Sequence, residues 1–150
     1  MCDLEHARLM LRLSRDELAA LEAMSESPLF TTGIFGFHAQ QSVEKGLKSW
    51  LSLIGIEYPI THSLTVLLNL LEENGIQRVE EFRALSRLTP FAVQFRYEEY
   101  ESLVEVFDRS DIVEEIRVFL DCVSDAIQKR SSREDGRGGG NSRTEPTTSE

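Results

Sequence analysis

The sequence predicts an all-α fold, an up-and-down four-helix bundle with a short extra helical insertion. Three observations carry this. Apolar residues recur at helical spacing along most of the chain, no stretch alternates with the period of two expected of a half-buried strand, and the periodic stretches are separated by short links containing Gly, Pro or Asn. Long or medium helices joined by short links fold most simply as antiparallel neighbours.

The first helix is expected over about Asp3 to Met24, where Leu4, Ala7, Leu11, Leu18 and Leu21 recur at helical spacing. Ser25 to Pro28 breaks it. The second runs from about Thr32 to Ile54, with Gly33 and Gly36 loosening its first turn; Gly55 stops it and Pro59 keeps the connector extended. The third starts at Thr61 or Ser63, either of which suits an N-cap, carries Leu64, Leu67, Leu68 and Leu71 on one stripe, and ends at Asn74-Gly75. A short helix follows around Val79 to Leu88 with Phe82 and Leu85 inward. Thr89-Pro90 begins another turn, since proline suits the first helical position. Arg96-Tyr97-Glu98-Glu99-Tyr100 marks a change of direction, and the last helix spans about Ser110 to Lys129, with Ile112, Ile116, Phe119, Val123 and Ile127 as its apolar face. Beyond Arg130 the chain turns to Gly, Ser, Thr and charge. We expect one helical domain over residues 1–130 and a disordered polar tail over 131–150, which has too little apolar surface to bury.

Composition narrows the function. The formal charge is −10, most of it on the helical body, which opposes non-specific binding to DNA or other phosphate backbones while leaving room for a small local RNA or nucleotide site. The two cysteines, Cys2 and Cys122, are far apart and make neither a metal motif nor a disulfide scaffold; Cys122, between Phe119-Leu120 and Val123, reads as a small buried hydrophobe. No run is long and apolar enough for a membrane span, and the first residues carry no signal-peptide pattern, so a cytoplasmic protein is expected. Acidic pairs such as Glu72-Glu73 and Glu98-Glu99 have no histidine at metal-ligand spacing. There is no glycine-rich loop between strand and helix, and no Ser-His-Asp or Cys-His set can be placed. No metal and no cofactor is expected.

The stretch Phe37 to Lys48 is the most informative. On a helix, Phe35, Ala39, Val43, Leu47, Trp50 and Ile54 share one side, and His38, Gln41, Lys45 and Lys48 the other. With Phe37-His38-Ala39-Gln40-Gln41 and Glu44-Lys45 in that helix, Gly55 and Pro59 after it, then Thr61-His62-Ser63-Leu64, and Arg96-Tyr97 before the final helix, the chain resembles HEPN-domain proteins, a family named for nucleotide binding in higher eukaryotes and prokaryotes. The resemblance spans about residues 5–128. It implies a helical bundle, often a homodimer, and often a partnership with a minimal nucleotidyltransferase in a toxin–antitoxin-like module. In several branches it implies a metal-independent RNase whose signature is an Arg, four to six residues, then a His on the final helix. His suits proton transfer there and Arg suits phosphate. This chain departs from that signature. Its histidines are His6, His38 and His62, and the final helix has Arg117 with no His after it. RNase chemistry by that arrangement is not expected. Glu98 also stands where related small members often carry Pro after the Arg-Tyr pair.

Each candidate residue has a structural alternative. His38, Gln41, Lys45 and Lys48 would line a groove for a nucleotide or a partner, with the lysines toward phosphate, or form a solvated helix face with Glu44 and Lys48 as an i,i+4 ion pair. His62 would move a proton, or terminate the loop and pack on Tyr58. Arg96 would clamp a phosphate or acidic group, or pair with its acidic neighbours while Tyr97 packs between helices. The function expected is a HEPN protein acting with a minimal nucleotidyltransferase, with possible nucleotide or RNA binding. The alternatives are an RNase with a non-standard site and a non-catalytic scaffold dimer.

Overall fold

The computed structural model of the chain describes residues 2–92 and 108–138. Among them the order is α1 (Leu4–Met24), α2 (Thr32–Leu53), α3 (Leu64–Glu73), a run of tight 3₁₀ turns (Gln77–Ala92) and α4 (Arg109–Arg137), with no strand. The fold is all-α, as expected.

Local chemistry sets the helix ends. Each α-helix opens on a side-chain oxygen that accepts from an otherwise unpaired N–H: Asp3 from His6, Thr31 from Ile34, Ser63 from Val66, and Asp108 from Asp111. Of the two caps proposed for the third helix, Ser63 is the one used. α2 and α3 end alike. Gly55 (φ 77°) and Gly75 (φ 89°) take the left-handed conformation after the last helical turn. The N–H of Ile56 then reaches Leu51 O, and that of Ile76 reaches Leu71 O, each at 3.0 Å.

The segment from Gln77 departs from expectation. A short helix over Val79–Leu88 and a separate turn at Pro90 were expected; one 3₁₀ run covers both. Its buried residues are Val79, Phe82, Leu85, Leu88 and Phe91, a strict period of three. An α-helix would rotate that series by about 60° at each step and wind it around the axis. A 3₁₀ helix, with three residues per turn, stacks it along one edge.

α1 runs antiparallel to α2. Asp3 N–H donates to Ser52 O at 3.0 Å, Ser49 Oγ to Ala7 O at 2.6 Å, and Ser14 and Ser42 each donate a hydroxyl to the other's carbonyl at 2.5 and 2.9 Å. Small side chains bring the two helices close enough for these bonds. α1 is also antiparallel to α4, through Arg8–Ser131, Arg15–Asp121 and Glu22–Arg117. α2 and α4 meet at Gly46, where a Cβ would lie 2.6 Å from Phe119 Cε1. Phe119 also touches Trp50 and Phe82, with ring centroids 6.4 and 5.2 Å away. The Phe91 ring lies over Gly36, so the 3₁₀ run returns antiparallel to α2. The expected stripes of α3 and α4 are buried, as is Cys122.

α2 therefore sits in the middle and contacts every other element. Its burial is not confined to one side: Gln40, Ser42, Glu44, Ser49 and Ser52 are buried along with the apolar face. His38, Gln41, Lys45 and Lys48, expected opposite the apolar side, are half-buried rather than fully covered. At the other end of the chain, α4 continues to Arg137, past the expected end near Lys129 and into the segment read as tail. A polar segment cannot bury a core, but it can extend a helix already nucleated by packing, since propagation costs far less than initiation.

Candidate functional site

α2's central position dictates what happens to its polar residues. Most side chains there lie at least partly against another helix or a connector, so a charge drawn from water needs a counter-charge. Two glutamates supply them.

Glu17 on α1 is the first. Its carboxylate accepts from His38 Nδ1 at 2.6 Å and from Lys45 Nζ at 2.9 Å, and its side chain is 17% exposed. Burial pushes the Glu17 carboxyl up, but the hydrogen bonds and charges of Lys45 and His38 outweigh it and hold the group below the ordinary carboxylate range. Glu44 on α2 is the second, with a side chain only 4% exposed. Its Oε1 accepts from His62 Nδ1 at 2.8 Å and Lys48 Nζ at 3.3 Å, and its Oε2 from Gln41 Nε2 at 3.1 Å. A carboxylate only accepts, so both histidines present a protonated Nδ1 to it. Gln40 Nε2 donates to His62 O at 3.1 Å and its own oxygen accepts from Gln41 at 2.7 Å.

The motif residues noted in the sequence are thus joined in space. His38 and Lys45 share Glu17. Gln41, Lys48 and His62 share Glu44. The second set fastens the connector before α3 to α2. The Glu44–Lys48 i,i+4 pair is present, but on a buried carboxylate rather than a solvated face. His62 itself is 66% exposed. It does not take up the Tyr58 contact considered for it: Tyr58 Oη lies 2.9 Å from His6 Nε2, and Lys48 Nζ sits 5.3 Å from the Tyr58 ring centroid. Burial, and then the nearby Asp3 charge, push the Tyr58 hydroxyl up. Arg96 and Tyr97 lie outside the described residues.

Sequence reasoning missed Glu17, Gln40 and the His6–Tyr58 contact. Glu17 carried a signal. It stands three residues after Ser14 and four before Leu21, both buried, so it borders the inward stripe of α1. An acid there needs a partner across the interface.

The arrangement has limited chemical freedom. Each lysine is already neutralised by a glutamate, which reduces its pull on phosphate. Each Glu-held histidine is fixed in orientation, with no further hydrogen bond to its Nε2 among the described residues. Also among the described residues, no three of His, Cys, Asp and Glu converge as a metal site would require. No described helix is long and apolar enough to cross a membrane.

Comparison with known proteins agrees with this architecture. A family model described as HEPN domain matches residues 7–127, which takes in both glutamate clusters and the packed part of α4. No curated protein and no solved structure matches. With four-fifths of the chain covered by one family model and the motif residues interlocked across α1, α2 and the connector, the chain belongs to the HEPN-domain family.

Proposed function

We propose that this chain is a non-catalytic HEPN protein of the cytoplasm, forming a homodimer and acting as the partner of a minimal nucleotidyltransferase in a toxin–antitoxin-like module. One observation carries the non-catalytic reading: the histidines and lysines of the α2 face are committed to Glu17 and Glu44. They form a fixed pattern of polar edges rather than free reactive groups. The Arg-to-His signature is also missing, since α4 contains no histidine. Exposed apolar residues stand one helical turn away, Leu13 four before Glu17 on α1 and Ile34 four before His38 on α2. Apolar patches among fixed charges suit a protein partner better than a small anion. His38, Gln41, Lys45, Lys48, His62, Arg96 and Tyr97 are the residues presented to that partner or to a nucleotide.

Affinity purification at native expression tests it. Recovery of a small nucleotidyltransferase with the chain is expected; recovery of the chain alone, without nucleotide, overturns the partnership.

A second reading rests on the two histidines held at Nδ1, because an oriented imidazole with an open Nε2 is what a general base requires. It predicts metal-independent RNA cleavage that is lost in His38→Ala or His62→Ala. Intact RNA after long incubation with pure protein removes it.

A further inference from the structure

The described cations fall into two groups. From Arg15 to Arg117, each described Arg or Lys forms an ion pair with an acidic side chain, except Arg109, whose guanidinium donates to three backbone carbonyls. Arg12, Lys129, Arg130, Arg133 and Arg137 form none among the described residues, and Arg8 reaches only the Ser131 hydroxyl. In a chain of formal charge −10, acids are plentiful, so leaving these cations unpaired is a property of their placement.

Four of them share one stretch of helix. Ile127 is the last buried residue of α4, and from Gln128 to Arg137 every side chain but Ser131 is exposed. Arg130, Arg133 and Arg137 continue the inward stripe of Phe119, Val123 and Ala126 beyond the packed bundle. Lys129 lies beside that stripe, at i−4 from Arg133. Like charges at i,i+4 spacing disfavour an isolated helix. The C-terminal helix dipole favours cations, but its influence fades within the last turn and does not reach Lys129 or Arg130. Glu134, four residues after Arg130, makes no ion pair with it. Asp135 lies on the far side of the helix. The extension also falls outside residues 7–127, the part matched by the family model.

We propose that the α4 extension, with Lys129, Arg130, Arg133 and Arg137, docks the phosphodiester backbone of a nucleic acid strand. Phosphate is favoured over an acidic protein surface for two reasons. Arg's planar fork matches phosphate oxygens in a bidentate way. Residues 128–137 contain no apolar side chain, so the arm lacks the buried anchor that a protein interface needs, whereas backbone binding needs none. Contact with the strand relieves the repulsion along the stripe, and the acidic body confines the strand to the arm. Three or four phosphate contacts give weak, strongly salt-dependent binding without base preference.

The test is fluorescence anisotropy of the full chain with a labelled oligouridine, from 50 to 200 mM salt. Log affinity should fall against log salt with a slope of about −2 to −3, a loss of roughly 20- to 50-fold over that range. A DNA oligonucleotide should bind equally, because the contacts are to phosphate; the opposition to phosphate backbones expected from the overall charge then holds for the acidic body and not for this arm. The triple variant Arg130→Gln, Arg133→Gln, Arg137→Gln should lose binding while circular dichroism shows its helix intact; Arg133→Gln alone should lower the slope by about 0.7. No binding at 50 mM salt, a flat salt profile, or equal capture of polyglutamate overturns the proposal. So does a triple variant that binds normally while His38→Ala, Lys45→Ala does not, which would place the strand on the α2 face. The nucleotidyltransferase partnership is read separately, by co-purification, and can fail or stand whatever the anisotropy shows.

Discussion

Replacing Glu44 by Gln changes one atom of a buried side chain and tests whether its carboxylate organises the connector before α3. The geometry sets the expected size. Oε1 accepts from His62 at 2.8 Å and Lys48 at 3.3 Å, Oε2 accepts from Gln41 at 3.1 Å, and the side chain is 4% exposed. An amide of the same shape keeps one oxygen. Its NH₂ must face a donor on the other side, and the negative charge that strengthened the remaining bonds is gone. Losing one hydrogen bond to a charged group costs about 1.5–3 kcal/mol. At roughly 3 °C per kcal/mol for a chain of this size, the Tm should drop by about 5–9 °C. Part of the loss should be local, seen as faster proteolysis in residues 54–63. Exposed Glu73→Gln, which has no partner among the described residues, should stay within about 0.5 kcal/mol of the parent. Lys48→Gln combined with Glu44→Gln should cost less than the sum of the two, because they share the bond. A Glu44→Gln protein whose Tm falls by less than about 1 °C, with an unchanged digestion pattern, would refute the reasoning.

Two glycines should respond with opposite signs. At Gly46 an added methyl meets Phe119 and Leu120 at 2.6 and 2.8 Å, so Gly46→Ala should destabilise by about 1–2 kcal/mol in urea titration, overpacking exceeding the gain in helix propensity. At Gly136 nothing lies within 4 Å, and Gly136→Ala should raise helicity at 222 nm. Glu17 has a depressed carboxyl pKa, so its contribution to stability is complete above the unfolded value near 4.5 and is lost as pH falls through the lower folded value; Glu17→Gln should flatten that acid limb of the stability curve. Arg109 donates to Met24 O, Ser27 O and Phe30 O and lies 5.2 Å from the Phe35 ring centroid. Arg109→Lys cannot reproduce that fork, and should cost about 1–3 kcal/mol with new protease sensitivity in residues 25–31.

Much of this architecture was legible because its causes are local. Leu64, Leu67, Leu68 and Leu71 were read as one stripe and are buried together, as are Ile112, Ile116, Phe119, Val123 and Ile127. Gly55 and Asn74-Gly75 were read as stops and close their helices. The 3₁₀ run differs from the short helix expected over Val79–Leu88 although its period of three stands in the sequence, because over two or three turns residues three apart also lie near one edge of an α-helix. For the candidate site, the residue types were legible but their partners were not: Glu17 and His38 are 21 positions apart, and nothing local joins them.

The helical class, most helix ends, the apolar stripes and the family follow from residues within a turn or two of one another, or from a motif in order, and so are written in the sequence. The tertiary structure alone decided that α2 is the central helix, because that depends on how many neighbours pack around it. Its polar side became half-buried for that reason. Burial demanded counter-charges, and Glu17 and Glu44 supplied them from positions that no periodicity could link to their partners. His38 and Lys45 thus share the Glu17 carboxylate, and Lys48 and His62 that of Glu44, because a charge drawn from water is paired.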